Sequence, residues 1–293
     1  MREKRHAMKR VLKWSALVFG AVLIVVTGFA GFGFYRVYYG KHVYETVAPV
    51  LPDHLPAPAI LIFSKTNGFR QDDAIAAANS ALAEIARQKG CSVFVTENGA
   101  VFQPALLARF RATVWNNTSG DVLDAAQMAA FRSYIENGGG FTGIHGAGGD
   151  PHYEWRWYVE TLVGAQFQGH PLAPQFQRAT IHVEDSDDPA TRELPREWTR
   201  VDEWYSFEKS PRASGVQVLA TLDEKTYSPK MLWKDIRMGA DHPIVWKHCV
   251  GKGRVFYSAL GHSASAYDEP LHRKELGGAI AWVAGLEGQG CPR

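Results

Sequence analysis

The chain has 293 residues, 46% hydrophobic and 21% charged, with 28 Gly, 15 Pro and 9 Trp. That is enough apolar sequence for one large α/β domain or two small ones, and it excludes a low-complexity or disordered protein. The net charge of +2 conceals an asymmetry, because Arg2, Lys4, Arg5, Lys9, Arg10 and Lys13 against Glu3 give residues 1–13 a net of +5 and leave −3 for residues 14–293.

A nucleic-acid partner is set aside, since such binding needs a basic patch on the folded body and no basic run follows Lys13. Trp14 to Tyr35 is 22 residues without a charge. As a helix it spans about 33 Å, enough for a hydrocarbon core. Its centre, Ala21 to Val26, is apolar, and Trp14, Phe32, Phe34, Tyr35, Tyr38 and Tyr39 lie toward its ends as an interfacial belt would. Residues 1–13 therefore read as a basic cytoplasmic tail, 14–35 as an uncleaved single-pass anchor, and the body as exported. A cleaved signal peptide is the alternative; its apolar region would be shorter, and Gly31 to Tyr35 is too bulky for a good cleavage site.

Residues 36–57 read as a juxtamembrane linker ending in a proline-rich, helix-averse stretch. One domain, residues 58–286, follows. Ala59 to Phe63 predicts a buried strand, Asp72 to Lys89 a helix closed by Gly90, Cys91 to Val95 a second strand and Ala112 to Trp115 a third. Asp124 to Asn137 predicts another helix, ended by Gly138-Gly139-Gly140, and Phe141 to Ile144 a fourth strand. The alternation argues for an α/β fold with a doubly wound, mostly parallel sheet. Residues 175–240 read instead as a β-rich insertion, with half-exposed strands at Gln177 to Val183 and Gly215 to Thr221. Ile244 to Trp246 and Arg254 to Ser258 form a last pair joined through Gly251-Lys252-Gly253, and a helix runs from Pro270 to Ala284. Cys91, Cys249 and Cys291 are odd in number and widely spaced, so no disulfide framework is expected.

Ligands of open α/β sheets bind beyond the carboxyl ends of the strands. Four such ends are alike in being polar and containing glycine, namely Ser64 to Arg70, Asn116 to Asp121, His145 to Asp150 and Gly261 to Ser263. Gly138 to Gly143 fits a GxGxxG spacing but enters a strand rather than leaving one, which argues against a dinucleotide cofactor. His145 stands at the strand-to-loop corner where a hydrolase would place Ser and an amidotransferase Cys, so acyl-enzyme chemistry does not follow from it. His145, Glu203, His242 and His262 make a possible nitrogen and oxygen ligand set for Zn, Fe or Mn, although no short spacing joins them; a hydrogen-bonded pocket of neutral histidines is the alternative. Tyr153, Trp155, Trp157, Trp204, Tyr205 and Tyr267, near acids and amides, suit a sugar whose faces stack on rings, or else simply pack the core.

Several longer motifs carry a resemblance. They are Lys65-Thr66-x-Gly68-Phe69-Arg70, Gly138-Gly139-Gly140-Phe141-x-Gly143-Ile144-His145, Trp155-x-Trp157-Tyr158 and Asp202-Glu203-Trp204-Tyr205-x-Phe207. Leu219 to Tyr227, Asp241-His242-Pro243-Ile244-x-Trp246 and Gly253 to His262 continue the series, and in order they resemble the ThuA-like (trehalose utilisation) family from about Ala59 to Gly285. The resemblance implies a class I glutamine-amidotransferase-like, flavodoxin-type fold and a link to catabolism of trehalose-like disaccharides and their 3-keto derivatives. Two positions depart from the family pattern: Gln71 stands where a His is common, and the loop after His145 is one residue longer, which affects Asp150.

The combined expectation is a membrane-anchored protein acting on a carbohydrate, with His145, Glu203 and His262 catalytic. Lys65, Arg70, Asn117, Trp155, Trp204, Tyr205, Asp241 and His242 are expected to bind the substrate. A glycoside-processing hydrolase, lyase or isomerase, a non-catalytic sugar-binding module and a protein-interaction scaffold remain open as readings; a glutamine amidotransferase does not, because of His145.

Overall fold

A computed structural model of the chain describes residues 2–39 and 42–291. Helix α1, Arg2–Tyr39, contains Leu12–Gly33, a stretch long and apolar enough to cross a membrane; it fits a single-pass anchor or a signal sequence.

The remainder is a mixed α/β fold on a nine-stranded sheet. Its strands are β1 (Ala59–Phe63), β2 (Ser92–Thr96), β3 (Ala112–Asn116), β4 (Gly140–Ile144), β5 (Phe176–Val183), β6 (Glu197–Glu203), β7 (Gln217–Leu222), β8 (Pro243–Val250) and β9 (Gly253–Ser258). The spatial order is β2-β1-β3-β4-β9-β8-β7-β5-β6. The first five are mutually parallel, with Ile60 opposite Ala112 and Phe141 opposite Val255. From β9 onward each pairing is antiparallel. Every residue of β1, β3 and β4 is buried, as continuous apolar strands covered on both faces require. The β-rich middle thus extends the same sheet. β6 is the strand that hydrophobic alternation did not announce, because Glu197, Thr199 and Val201 face solvent while Arg200, Asp202 and Glu203 are buried.

The longer helices that accompany the sheet are α2 (Asp72–Gln88), α3 (Ala125–Glu136) and α4 (Pro270–Val283). Asp72 and Asp73 in the first turn of α2 complement its dipole, and Ala74, Ala78, Leu82 and Ile85 bury its inner stripe. Asp124 and Gln127 form a reciprocal capping box on α3. At Gly140 a Cβ would stand 2.2 Å from the Val283 carbonyl oxygen, so only glycine lets the end of α4 approach β4 this closely.

Two features depart from expectation. Cys249 and Cys291 form a disulfide, 42 residues apart, which tethers the last described residue to β8; the odd count left one cysteine, Cys91, free and buried. The residues after α1 are also more than a linker. Lys65, buried at the end of β1, donates to the Val43 carbonyl and to Glu45 Oε2, both at 2.6 Å. Glu45 Oε2 also accepts from the Gly99 amide at 2.8 Å, and the Glu45 and Val47 carbonyls accept from Gln127 and Asn98. Residues 43–47 are strapped across the ends of β1 and β2 and the start of α3.

Two outcomes follow. Lys65→Ala is expected to raise amide hydrogen exchange over residues 43–47 by about tenfold, corresponding to ~1.4 kcal/mol of lost docking. Cys249→Ser is expected to lower the unfolding free energy by about 2–4 kcal/mol in chemical denaturation, and a non-reduced tryptic digest should contain the linked peptides.

Candidate functional site

The carboxyl ends of β4 and β9 bring two imidazoles together. His145 follows β4 at φ 43°, a left-handed conformation costly for a residue with a Cβ. It is held there by a hydrogen bond from Tyr257 Oη to its carbonyl and by Asn117 Oδ1, which accepts from the next amide, Gly146. The His145 ring is fully buried and lies 4.1 Å from the Tyr205 ring in a stacked arrangement. Its Nδ1 donates to the Ala259 carbonyl at 2.8 Å, and its Nε2 stands 3.1 Å from His262 Nδ1.

β6 is four places from β9 in the sheet, yet its end meets the loop after β9. The link is Asp202, whose carboxylate accepts from the backbone amides of Gly261 at 2.9 Å and His262 at 3.2 Å. Arg200, on the same buried side, pairs with Asp202 at 3.1 Å and with Glu269 at 3.2 Å. Burial opposes ionisation of Asp202, but the Arg200 guanidinium and the backbone donors outweigh it and lower its pKa.

This anchoring delivers Glu203. Its Oε2 is 2.9 Å from His262 Nδ1 and 3.2 Å from His145 Nε2, while Oε1 meets His170 Nδ1 at 3.1 Å and accepts from Gln175 Nε2 at 2.5 Å. Only 2% of the Glu203 side chain is exposed. Burial pushes its carboxyl up, yet hydrogen bonds with His145 and His262 prevail and hold it well below the usual carboxylate range. His262 is the most accessible of the three, opening on a cleft of about 470 Å³ lined by Phe69, Gln71, Ala74 and Ser263. Phe176, half-exposed, sets its ring edge-on to His262 at 4.9 Å.

Of the residues expected from sequence, His145, Glu203 and His262 converge, and Tyr205 floors the group. The others do not reach it. His242 is buried with Nδ1 on Glu224 at 2.8 Å and Nε2 on the Tyr205 carbonyl at 2.8 Å, so both ring nitrogens are engaged and neither is offered to a ligand. Lys65 serves the strap, Arg70 is paired with Glu97 and Asp72, and Asp241 with Arg212 and Ser210. Asn117 braces the His145 loop and donates to Tyr267 Oη. Trp204 is a core residue donating to the Gln177 carbonyl, and Trp155 packs beside Tyr158 and Phe131. These aromatics fill the interior rather than a binding face. Sequence reasoning assigned no role to His170, Gln175 or Arg200, and nothing local distinguishes Gln175 from a surface amide.

With this geometry in place, the comparisons with known proteins bear on it. The profile of the ThuA family, described as trehalose utilisation, matches residues 59–283. The chain belongs to the ThuA family. Among solved structures it is similar to a ThuA-like protein from Bacteroides uniformis, with 26% identity and a TM-score of 0.67 over 81% of this chain and 95% of that one. A ThuA-like protein from Parabacteroides merdae, 17% identical, superposes with a TM-score of 0.60 over 80% of this chain and 93% of that one. A cytoplasmic protein from Salmonella typhimurium, 10% identical, shares the fold with a TM-score of 0.51 over 77% and 98% of the two chains. No curated protein matches.

Asp202→Ala is expected to cost about 3–5 kcal/mol in urea denaturation, because it strands the buried Arg200 charge and releases two amides.

Proposed function

We propose that this ThuA-family chain is a membrane-anchored enzyme with its folded body on the exported side, acting on a trehalose-like disaccharide or a 3-keto-glycoside. The observation that carries the reading is the buried carboxylate of Glu203 held against His145 and His262 at the strand ends, with the His262 side open to a cleft. Acid–base work on a hydroxyl-rich substrate needs such a group of titratable side chains, in which one partner holds a proton that another can take. His262 would exchange a proton with the substrate, Glu203 would hold and orient that imidazole, and His145 would keep the carboxylate in place. The exposed face of Phe176 beside His262 offers apolar contact to the C–H face of a sugar ring. The family's description supports the substrate class. The basic residues ahead of Trp14 support a cytoplasmic N-terminus, and the Cys249–Cys291 disulfide suits an oxidising compartment.

The test uses the full chain in detergent with trehalose, other disaccharides and their 3-keto derivatives, with products followed by NMR. Turnover of at least one is expected, and Glu203→Gln and His262→Ala should each lower kcat/KM by about 10²–10⁴. Saturable binding without product would convert the reading to a sugar-binding module. No binding by any of them would end the carbohydrate reading altogether.

A further inference from the structure

His145 Nε2, His262 Nδ1 and Glu203 Oε2 come from the ends of β4, β9 and β6, and their separations are 3.1, 2.9 and 3.2 Å. The tautomer of His145 is fixed by its other nitrogen. Nδ1 lies 2.8 Å from the Ala259 carbonyl oxygen, which can only accept, so Nδ1 carries the hydrogen and the neutral ring presents a lone pair at Nε2. The ionised Glu203 oxygen likewise presents only lone pairs.

Protons alone do not satisfy this triangle while the carboxylate is ionised. If both imidazoles donate to Glu203, two N–H groups confront each other across 3.1 Å. If one imidazole donates to the other, at least one nitrogen faces the carboxylate oxygen with lone pair against lone pair. With an ionised carboxylate one edge is repulsive in each of these assignments, and burial in a low dielectric magnifies the cost. A single cation placed over the triangle satisfies all three edges together.

The spacing agrees with that occupant. Donors bonded to one ion at about 2.1 Å stand about 3.0 Å apart on an octahedral face and about 3.4 Å apart in a tetrahedron. We propose that His145 Nε2, His262 Nδ1 and Glu203 Oε2 are the protein ligands of one divalent transition ion of the zinc, iron(II) or manganese class. Two imidazoles with one carboxylate select these ions over magnesium and calcium, which favour oxygen alone.

The surroundings are those a metal site needs. The Ala259 carbonyl orients His145, while His170 and Gln175 hold the remaining oxygen of Glu203. Gln71 Nε2 sits 3.0 Å from His262 Nδ1, and Gln71 Oε1 is buried with no hydrogen-bond partner among the described residues. Turning that amide over aims its oxygen at the same centre, where it can serve as a fourth ligand. Gln71 and His262 also line the cleft, from which a water or a substrate hydroxyl can complete the coordination.

The inference concerns the same side chains as the carbohydrate reading but does not depend on it, so its test contains no sugar. Tag-free full chain in detergent is stripped with a chelator and titrated by calorimetry with ZnCl₂, MnCl₂ and CoCl₂, each with excess MgCl₂ and CaCl₂ present. One ion per chain is expected, unaffected by magnesium or calcium, with cobalt giving visible d–d bands. His145→Ala, His262→Gln and Glu203→Gln should each weaken binding by about 100-fold or more, and Gln71→Ala by about 10-fold. His242→Ala should bind as the parent does. Far-UV circular dichroism establishes that each variant is folded, and Glu203→Gln, nearly isosteric, carries the decision if an alanine variant is not. No stoichiometric binding by the folded parent, or binding unchanged in folded Glu203→Gln and His262→Gln, would overturn the site.

Discussion

A carboxylate kept ionised inside the protein is the constraint on which this molecule's functional region rests. Glu203 has lost nearly all its water, and an isolated buried charge of that kind is prohibitively costly. Three imidazoles and an amide therefore crowd around it, drawn from loops that follow β4 and β9 and from the segment leading into β5. The loop that carries His145 is constrained accordingly, with a left-handed backbone at that residue and a tyrosine hydroxyl pinned to its carbonyl. The neighbouring Asp202 solves the mechanical half of the problem. By capping two amides of the β9 loop it couples the far edge of the sheet to its centre, and Arg200 balances its charge.

The parallel half of the sheet was legible from sequence because its strands bury both faces and its helices carry clear stops. Ala59–Phe63 and the helix from Asp72 stand as the residue pattern predicts, and Gly251-Lys252 does turn β8 into β9. β6 was not legible as a strand, since its buried positions hold Arg200, Asp202 and Glu203, residues that pattern reading assigns to the surface. The same inversion explains the uneven reading of the site. His145, Glu203 and His262 could be singled out as polar residues at strand ends, where the fold exposes chemistry. What a polar residue at such an end faces is a tertiary matter: Lys65 turned toward the chain's own residues 43–45, and His242 toward Glu224. Trp155 and Trp204 illustrate the reverse case, in which large aromatics near functional loops were claimed by the core.

Residues that brace a site leave little trace in sequence. Gln175 is one amide in a polar turn, and the Ala259 carbonyl has no side-chain signature at all, yet the latter sets which nitrogen of His145 is available. Such partners become visible only when hydrogen-bond direction is traced atom by atom.

The strap at residues 43–47 would have a geometric consequence if α1 serves as the proposed membrane anchor. Val43 lies four residues beyond Tyr39, and a fully extended chain of that length reaches about 14 Å at most. With Val43 fastened to Lys65 and Asn67, the leash between such an anchor and the fold would be short. The body would then ride on the lipid surface with its β1 and β2 ends nearest the headgroups, unable to tumble freely. A substrate would meet the strand-end cleft within the thin aqueous layer next to the membrane, and its approach would be governed by that confined film rather than by the open compartment beyond.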